Sequence, residues 1–511
     1  MPERHYCIPM SDTENPDQAS CETGRQTAVS TGTIVTLIAA VAVATGLSFG
    51  AVTQDDAFIS FRYAENLVAG HGLVFNPGEW VEGYTNLLWT LLIAAVLALG
   101  GEPVIATTVM GLACLMGVIF ATWRLGKQDW LGRGAIIGAP ILVAVDAQLI
   151  LESVEGLETA LFALLVTLGT RSALLGQKRG GSLWFVLACL TRPEGVLLWG
   201  MLQSGLLVSA WRSGQLATQI ARALKQSIPI ILCLLALTAW RLHTYGDPLP
   251  NTFYAKTGGL AIPRGLTYIW NHITSHPVLW SLATVGAWLT RDQKRTIPLV
   301  VTVFLYLSYV VVVGGDFKPT GRFIIPVLPL IAVLAQGSIA AITASTYRSA
   351  LLTILAISIA WTGVSRLEDA QGHAQERHAN LVARKLVGDW IAVNTPSATV
   401  IAIHSAGVIP YYSNRRTIDM WGLTNRTIAR TVVATMGSGM AGHEKTNPEY
   451  VFSLEPDLYL PEHRVFTLKA WDLEVDPSFP KAFIDNYQSR SIQIDGRYLN
   501  LWVRITKQTT R

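Results

Sequence analysis

Charge is scarce in this chain: Asp, Glu, Lys and Arg together make up 14% of 511 residues, while half of the residues are apolar. With a mean hydropathy of +0.37, that composition excludes a disordered chain and is too greasy for an ordinary soluble enzyme. Neither sign of charge dominates, since 39 Lys plus Arg face 35 Asp plus Glu. These charges are scattered instead of forming a basic stripe, which excludes a nucleic-acid partner. Only five cysteines occur, Cys7, Cys21, Cys114, Cys189 and Cys233. They have no metal-ligand spacing and three sit in apolar runs, so neither a disulfide framework nor a thiol site is indicated. The histidines lack a zinc spacing, and no repeat of 20 to 50 residues or long low-complexity tract is visible.

What is present in quantity is bilayer-length apolar sequence. The first run, about 33 to 52, reads as a retained span, because no strongly basic segment precedes it. Others cover about 103–123, 134–151, 159–175, 182–211, 227–242, 278–290, 297–313, 323–343 and 349–365. Four basic clusters lie between them: Arg124, Lys127 and Arg133; Arg171, Lys178 and Arg179; Arg212, Arg222 and Lys225; Arg291, Lys294 and Arg295. Placing all four in the cytoplasm satisfies the positive-inside bias. Loops 53–102, 152–158, 243–277 and 314–322 then face outside. Parity requires the run 182–211 to turn near Thr191-Arg192-Pro193-Glu194-Gly195, and it demotes Leu87–Leu99 to an interfacial or buried helix. The expectation is a polytopic α-helical membrane protein with about 11 crossings and a disordered cytoplasmic tail over 1–30. Arg192 and Glu194, costly in lipid, are expected to pair with each other, with Glu152 to Glu158, or with substrate.

Composition changes after residue 365. Residues 366–511 have no spanning run and are enough for one domain, whereas 31–365 form the membrane core with the outer loop 53–102. A charged helix near 374–394, the strand-like ATVIAI and the alternating SIQIDGRYLNLWVRI predict a mixed α/β lid on the outer face. In the lid, His404 should stand at a strand end, where α/β domains expose side chains. Asp419 and His443-Glu444-Lys445 are polar loop residues suited to gripping hydroxyl groups. Trp240 to Lys256 offers aromatics and amides as a substrate wall, although such residues also gather at interfaces.

The most informative segment is 53–86, in which Asp55 and Asp56 follow the first span directly. Two adjacent carboxylates need water, a metal or a cation such as Arg62 to stay charged. A carboxylate here can take the proton of a sugar hydroxyl as it attacks an anomeric carbon; the plain alternative is a solvated helix start.

Several motifs carry a resemblance: Asp55-Asp56-Ala57-Phe58-Ile59-Ser60-Phe61-Arg62-Tyr63-Ala64, His71-Gly72-Leu73-Val74-Phe75-Asn76, Glu82-Gly83-Tyr84-Thr85-Asn86, Gly314-Gly315-Asp316-Phe317 with Arg322-Phe323, Ile418 to Thr424, and Gly442 to Lys445. In this ordered set the chain resembles the GT-C membrane glycosyltransferases, and within them the bacterial terminal β-(1→2) arabinofuranosyltransferase family. The resemblance implies a GT-C fold in the inner (cytoplasmic) membrane with site and lid facing outside. It also implies a polyprenyl-phosphate-linked sugar donor and an envelope-glycan acceptor. Asp55 or Asp56 becomes the base, Asp55 first by alignment with the Asp-Glu form of the wider class. Asp56 then orients the acceptor or helps hold a divalent cation such as magnesium, manganese or calcium. Arg62, Lys318 and Arg322 become the donor-phosphate cations, and His71, Glu82, Tyr84, Asn86, Asp316, His404, Asp419 and His443 the substrate contacts. Decaprenyl-phosphoryl-arabinofuranose is the leading donor by resemblance. The rivals are transfer of mannose or another hexose to protein, lipid or glycan, a lipid-linked-glycan transporter or flippase, and an envelope scaffold.

Overall fold

The computed structural model describes residues 30–127, 137–177, 180–257, 259–318, 321–434, 436–461, 465–471 and 479–505. The expected tail (all but its last residue), Cys7, Cys21, Arg133, Lys178 and Arg179 lie outside the described residues. In chain order the first helices are α1 (Thr31–Ser48), α2 (Asp55–Val68), α3 (Leu87–Ala98), α4 (Pro103–Gly126), α5 (Gly138–Ala144), α6 (Ala147–Glu152) and α7 (Thr159–Leu174). They are followed by α8 (Gly180–Thr191), α9 (Glu194–Arg212), α10 (Leu216–Tyr245), α11 (Asn251–Lys256), α12 (Ile262–Ser275), α13 (Pro277–Leu289) and α14 (Thr296–Val313). A 3-10 turn, Arg322–Val327, leads into α15 (Leu328–Ala344), and α16 runs from Arg348 to Asn394. Six of the described helical segments are long and apolar enough to cross a membrane: α1, α4, α10, α14, Arg322–Thr343 and α16; α3, α7, α8 and α13 are shorter apolar helices.

Burial sorts these helices. The Arg322–Thr343 segment is 89% buried over its most apolar window, whereas the apolar window of α16 is 0% buried. The first is therefore the centre of the bundle and the second its lipid-facing flank. Close packing at the centre uses small residues: a Cβ on Gly286 of α13 would stand 2.0 Å from the carbonyl oxygen of Leu334 on α15. Only glycine lets these backbones approach so closely.

The chain does turn at Arg192-Pro193, between the packed helices α8 and α9. Two expectations need correction. The run 134–151 is not one straight helix where it is described; α5 and α6 are separated at Val145-Asp146, and Asp146 caps α6 by accepting from the Leu149 amide at 2.8 Å. Nor does the chain break at 365/366, because α16 continues for 47 residues through the change from apolar to charged sequence. The lid is thus joined to the core by one rigid helix.

The lid proper contains α17 (Val408–Ser413), α18 (Arg426–Ala429), α19 (Pro448–Ser453), α20 (Lys481–Asn486) and strands β1 (Val400–Ile403), β2 (Arg416–Asp419), β3 (Leu458–Leu460), β4 (Phe466–Thr467), β5 (Tyr487–Ile494) and β6 (Arg497–Arg504). The sheet order is β2-β1-β3-β6-β4 with β5 also on β6; β1 runs parallel to β2 and β3, while the pairs of β6 are antiparallel. Asp495-Gly496, both at positive φ, make the tight β5–β6 turn. Because β2 and β3 flank β1 on opposite sides, a crevice opens beyond its carboxyl end. That end faces α2.

Candidate active site

The N-terminus of α2 meets the upper part of α16 and the β1–α17 loop around a cavity of about 460 Å3. Residues 57–64 of α2 are buried, so its packing fixes the two aspartates of the first turn, where the helix dipole favours carboxylates. The two differ sharply. Asp55 accepts from the backbone amides of Gly407 and Val408, each at 3.0 Å, and pairs with Arg384 at 2.8 Å. Gly407 is required there: a Cβ on it would lie 1.9 Å from the Asp55 carbonyl oxygen. Asp55 is therefore the pin that docks the lid. Asp56 also lines the cavity, but makes no hydrogen bond or ion pair with any described residue.

Asp56 has a cationic neighbourhood. Lys256 and Arg377 both feel its negative charge. Lys256 is exposed as a residue, but the crowding of its ammonium by surrounding protein lowers its pKa, with Asp56 opposing that shift. It bonds to no described residue. Arg377 touches Glu155. His443 stands edge-on to Trp421 (4.2 Å between centroids) and Phe317 (4.9 Å) on the cavity wall. Burial lowers its pKa. Asn380, Glu376, His373 and Ser405 complete the polar lining.

The divalent-cation expectation does not fit this donor set. Among the described residues no three His, Cys, Asp or Glu side chains gather as metal ligands. A divalent cation at Asp56 would meet Lys256 and Arg377, while the Asp55 carboxylate is already taken by Arg384 and two amides.

Several expected site residues serve the fold instead. Arg62 donates to the carbonyls of Phe75 (2.7 Å), Pro410 (2.7 Å) and Arg415 (2.8 Å) and to Asn76 Oδ1 (3.2 Å). It clamps the first outer loop to the lid with its donors turned to protein acceptors; burial lowers its pKa to about 10. Lys318, which also reaches the cavity wall, is held between Glu152 (2.9 Å) and Glu155 (2.6 Å), all three buried. Arg322 and Asp316 form a fork-to-carboxylate pair at 2.7 and 2.9 Å. These pairs leave little of either cation for a donor phosphate. Glu82 makes the same kind of pair with Arg241, Tyr84 shares a hydrogen bond with Tyr245 at 3.1 Å, and Asn86 donates to Glu158 at 2.8 Å. They join loop 53–86 to α7 and α10, away from the cavity wall. His71 is exposed on that loop, outside the cavity.

In the lid, His404 does follow β1, 5.5 Å ring to ring from Trp421. Asp419 is buried and accepts from the amides of Trp421, Gly422 and Thr424. It shapes the loop that carries Trp421, and burial raises its pKa to about 6 despite those donors. Glu444 caps the amides of Gly437 and Gly439, and Lys445 donates to the carbonyls of Tyr254 and Ala429. Arg192 pairs with both Glu158 (2.9 Å) and Glu194 (3.1 Å), as its cost in lipid demands.

Lys256 lay at the end of the expected substrate wall but was not singled out as a cation; the residues overlooked in the sequence are Arg377, Asn380 and Arg384 on α16. The three on α16 share one helical face, at spacings of three and four. That polar stripe was the available signal.

A family model described as "Domain of unknown function (DUF8728)" matches residues 370–500. The terminal beta-(1->2)-arabinofuranosyltransferase of Mycobacterium tuberculosis is 30% identical over 243 residues, covering 42% of this chain and 37% of the relative. Its counterpart in Corynebacterium glutamicum is 28% identical over 345 residues, covering 56% of this chain and 47% of the relative. The chain thus spans less than half the length of the curated relatives it matches. Among solved structures, ArnT from Cupriavidus metallidurans bound to undecaprenyl phosphate superposes with a TM-score of 0.57 at 12% identity, covering 93% of this chain and 98% of that one. Its apo state gives 0.52 at 12% identity, with coverages of 92% and 97%.

Proposed function

We propose that this chain, a membrane protein with the GT-C fold it shares with ArnT, is a glycosyltransferase that uses a polyprenyl-phosphate-linked sugar. The observation that carries the reading is the division of labour between the two first-turn aspartates: Asp55 is tied to the lid by three donors, and Asp56 is left open to a walled, cation-lined cavity. Asp56 is accordingly our general base, replacing Asp55 as first choice. It takes the proton from an acceptor hydroxyl while that oxygen attacks the anomeric carbon. The C–O bond to phosphate breaks on the opposite face, so the anomeric configuration inverts. The leaving phosphate is a stable anion that needs no general acid. Lys256, which bonds to no described residue, stabilises the negative charge as it passes to the leaving group, while Arg377 stays on Glu155.

The curated relatives' names and the undecaprenyl phosphate bound to ArnT support a polyprenyl-phosphate donor carrying arabinofuranose. We assign the acceptor to an envelope glycan, the membrane to the inner one, and the lid and cavity to its outer side, in keeping with the basic clusters at Arg124 and Lys127, Arg171, and Arg291 to Arg295. The test is transfer by the purified protein from decaprenyl-phosphoryl-arabinofuranose and from a mannosyl analogue to a short arabinan. Transfer from the first with inversion is expected; transfer from the mannosyl donor alone would move the substrate class to a hexose.

A further inference from the structure

A second cavity, of about 350 Å3, opens where α6 and the end of α12 meet α16. Arg366 dominates its wall: Nε donates to the Ser275 carbonyl at 2.9 Å, the guanidinium touches His276, and Nη2 bonds to no described residue. His276 stacks on His272 with 4.0 Å between centroids and faces Asp146 at 3.3 Å. Asp146 is in turn occupied as the cap of α6, while Asp369 is exposed at the rim.

Ser275, His276 and Arg366 also close the top of an adjoining groove, whose lower walls are apolar: Leu142 of α5, Leu279 of α13 and Ile359 of α16. The change from apolar to polar follows α16 itself. It exposes Ile354, Ile357, Trp361 and Val364, and after Arg348 at its start the next charge is Arg366, which marks the membrane–water boundary. The same helix then leads upward to the catalytic cavity. His373 lines both cavities, and Arg377 and Asn380 continue the stripe toward Asp56.

We propose that this groove and cavity form a holding site for the prenyl-phosphate carrier, distinct from its reacting position, with the phosphate on the unused donor of Arg366, which His276 positions from a ring whose nitrogens already face the His272 carbonyl and Asp146, and the chain between α5, α13 and α16. An apolar groove capped by a cation with an unused donor suits a lipid with an anionic head. Its continuity with the catalytic cavity through His373 selects the carrier over a bulk phospholipid. The proposal rests on the glycosyl-transfer reading; its test does not depend on turnover.

Full-length protein in phosphatidylcholine nanodiscs would be irradiated with decaprenyl phosphate bearing a diazirine in the isoprene nearest the phosphate, and the adducts mapped by mass spectrometry. Adducts should fall on the α13 and α16 segments around Leu279 and Ile359. Excess unlabelled decaprenyl phosphate should displace them; phosphatidylglycerol and inorganic phosphate at equal concentration should not. Arg366→Gln should lower labelling about tenfold, the loss of one charge-assisted contact, and Arg366→Lys should retain most of it. Asp56→Asn should label like wild type, so failure of transfer chemistry and failure of the holding site are read separately. Labelling spread evenly over lipid-facing helices, or unchanged in Arg366→Gln, would overturn the site. Equal displacement by phosphatidylglycerol would overturn the carrier as its occupant.

Discussion

Replacing each first-turn aspartate by asparagine separates a base from a pin. Asp56→Asn removes the only carboxylate of the pair without a partner among the described residues, leaving size and helix packing intact. A positioned general base contributes about 10²–10⁴ in rate, equal to about 3–5.5 kcal/mol of barrier, and folding should be unaffected. Asp55→Asn acts on different atoms. The new amide oxygen can still accept from Gly407 or Val408, but the amide nitrogen then faces the other N–H, and the Arg384 pair is lost. The clash of donors costs about 1–3 kcal/mol. Loss of the ion pair adds to that cost, because Arg384 is only 26% and Asp55 15% exposed and the guanidinium is left without its carboxylate. The assay is sugar transfer by purified variants in nanodiscs beside their thermal unfolding. Asp56→Asn should keep the wild-type Tm and lose at least about 100-fold in transfer; Asp55→Asn should melt earlier and lose activity in step with lid undocking. A folded Asp56→Asn with near-wild-type transfer would refute the reasoning. So would an Asp55→Asn protein with unchanged Tm and the larger loss of activity.

Gly407→Ala should weaken lid docking by about 1–3 kcal/mol through overpacking, read as a lower Tm and faster proteolysis of the lid; an unchanged protein would show that the close approach to Asp55 is absent. Lys318→Ala removes the buried cation between Glu152 and Glu155, leaving Glu152 without its ion-pair partner and Glu155 with Arg377 alone, and should destabilise by about 3–5 kcal/mol, seen as poor yield or a large fall in Tm, where a mere phosphate ligand would raise only the donor KM. Asp419 has a folded-state pKa of about 6, raised by burial, above the usual carboxylate value of about 4. Its ionisation therefore costs stability that is intact below about pH 4 and lost as pH rises through about 6; Tm measured across that window should fall less steeply in Asp419→Asn, and equal slopes would contradict the assignment. Val432→Cys, at an almost fully exposed lid position, should react with an impermeant thiol reagent on intact cells, whereas Ser213→Cys should react only after permeabilisation; the reverse pattern would invert the topology.

Local chemistry was legible in the sequence, and long-range partnership was not. The break at Thr191–Gly195, the partners of Arg192, the ATVIAI strand and the final hairpin each follow from proline, charge in an apolar run, or alternation within a short window. Residue 365 looked like a boundary because composition changes there, yet nothing in that stretch stops a helix, and α16 runs on. Arg62 looked like a phosphate ligand because its true acceptors, the carbonyls of Pro410 and Arg415, lie about 350 residues away in sequence. Asp55 and Asp56 are equivalent as letters, and only the docked lid, through Gly407, Val408 and Arg384, distinguishes them.

The central claim is that Asp56 drives transfer of a sugar from a lipid phosphate. Incubating the purified protein with decaprenyl-phosphoryl-arabinofuranose and a short arabinan, and counting glycosylated product against released decaprenyl phosphate, tests it most directly. The account predicts one inverted linkage per phosphate released in wild type and neither in Asp56→Asn. Stoichiometric transfer by a folded Asp56→Asn protein would contradict it, as would a folded wild type that transfers no sugar from this donor or its mannosyl analogue.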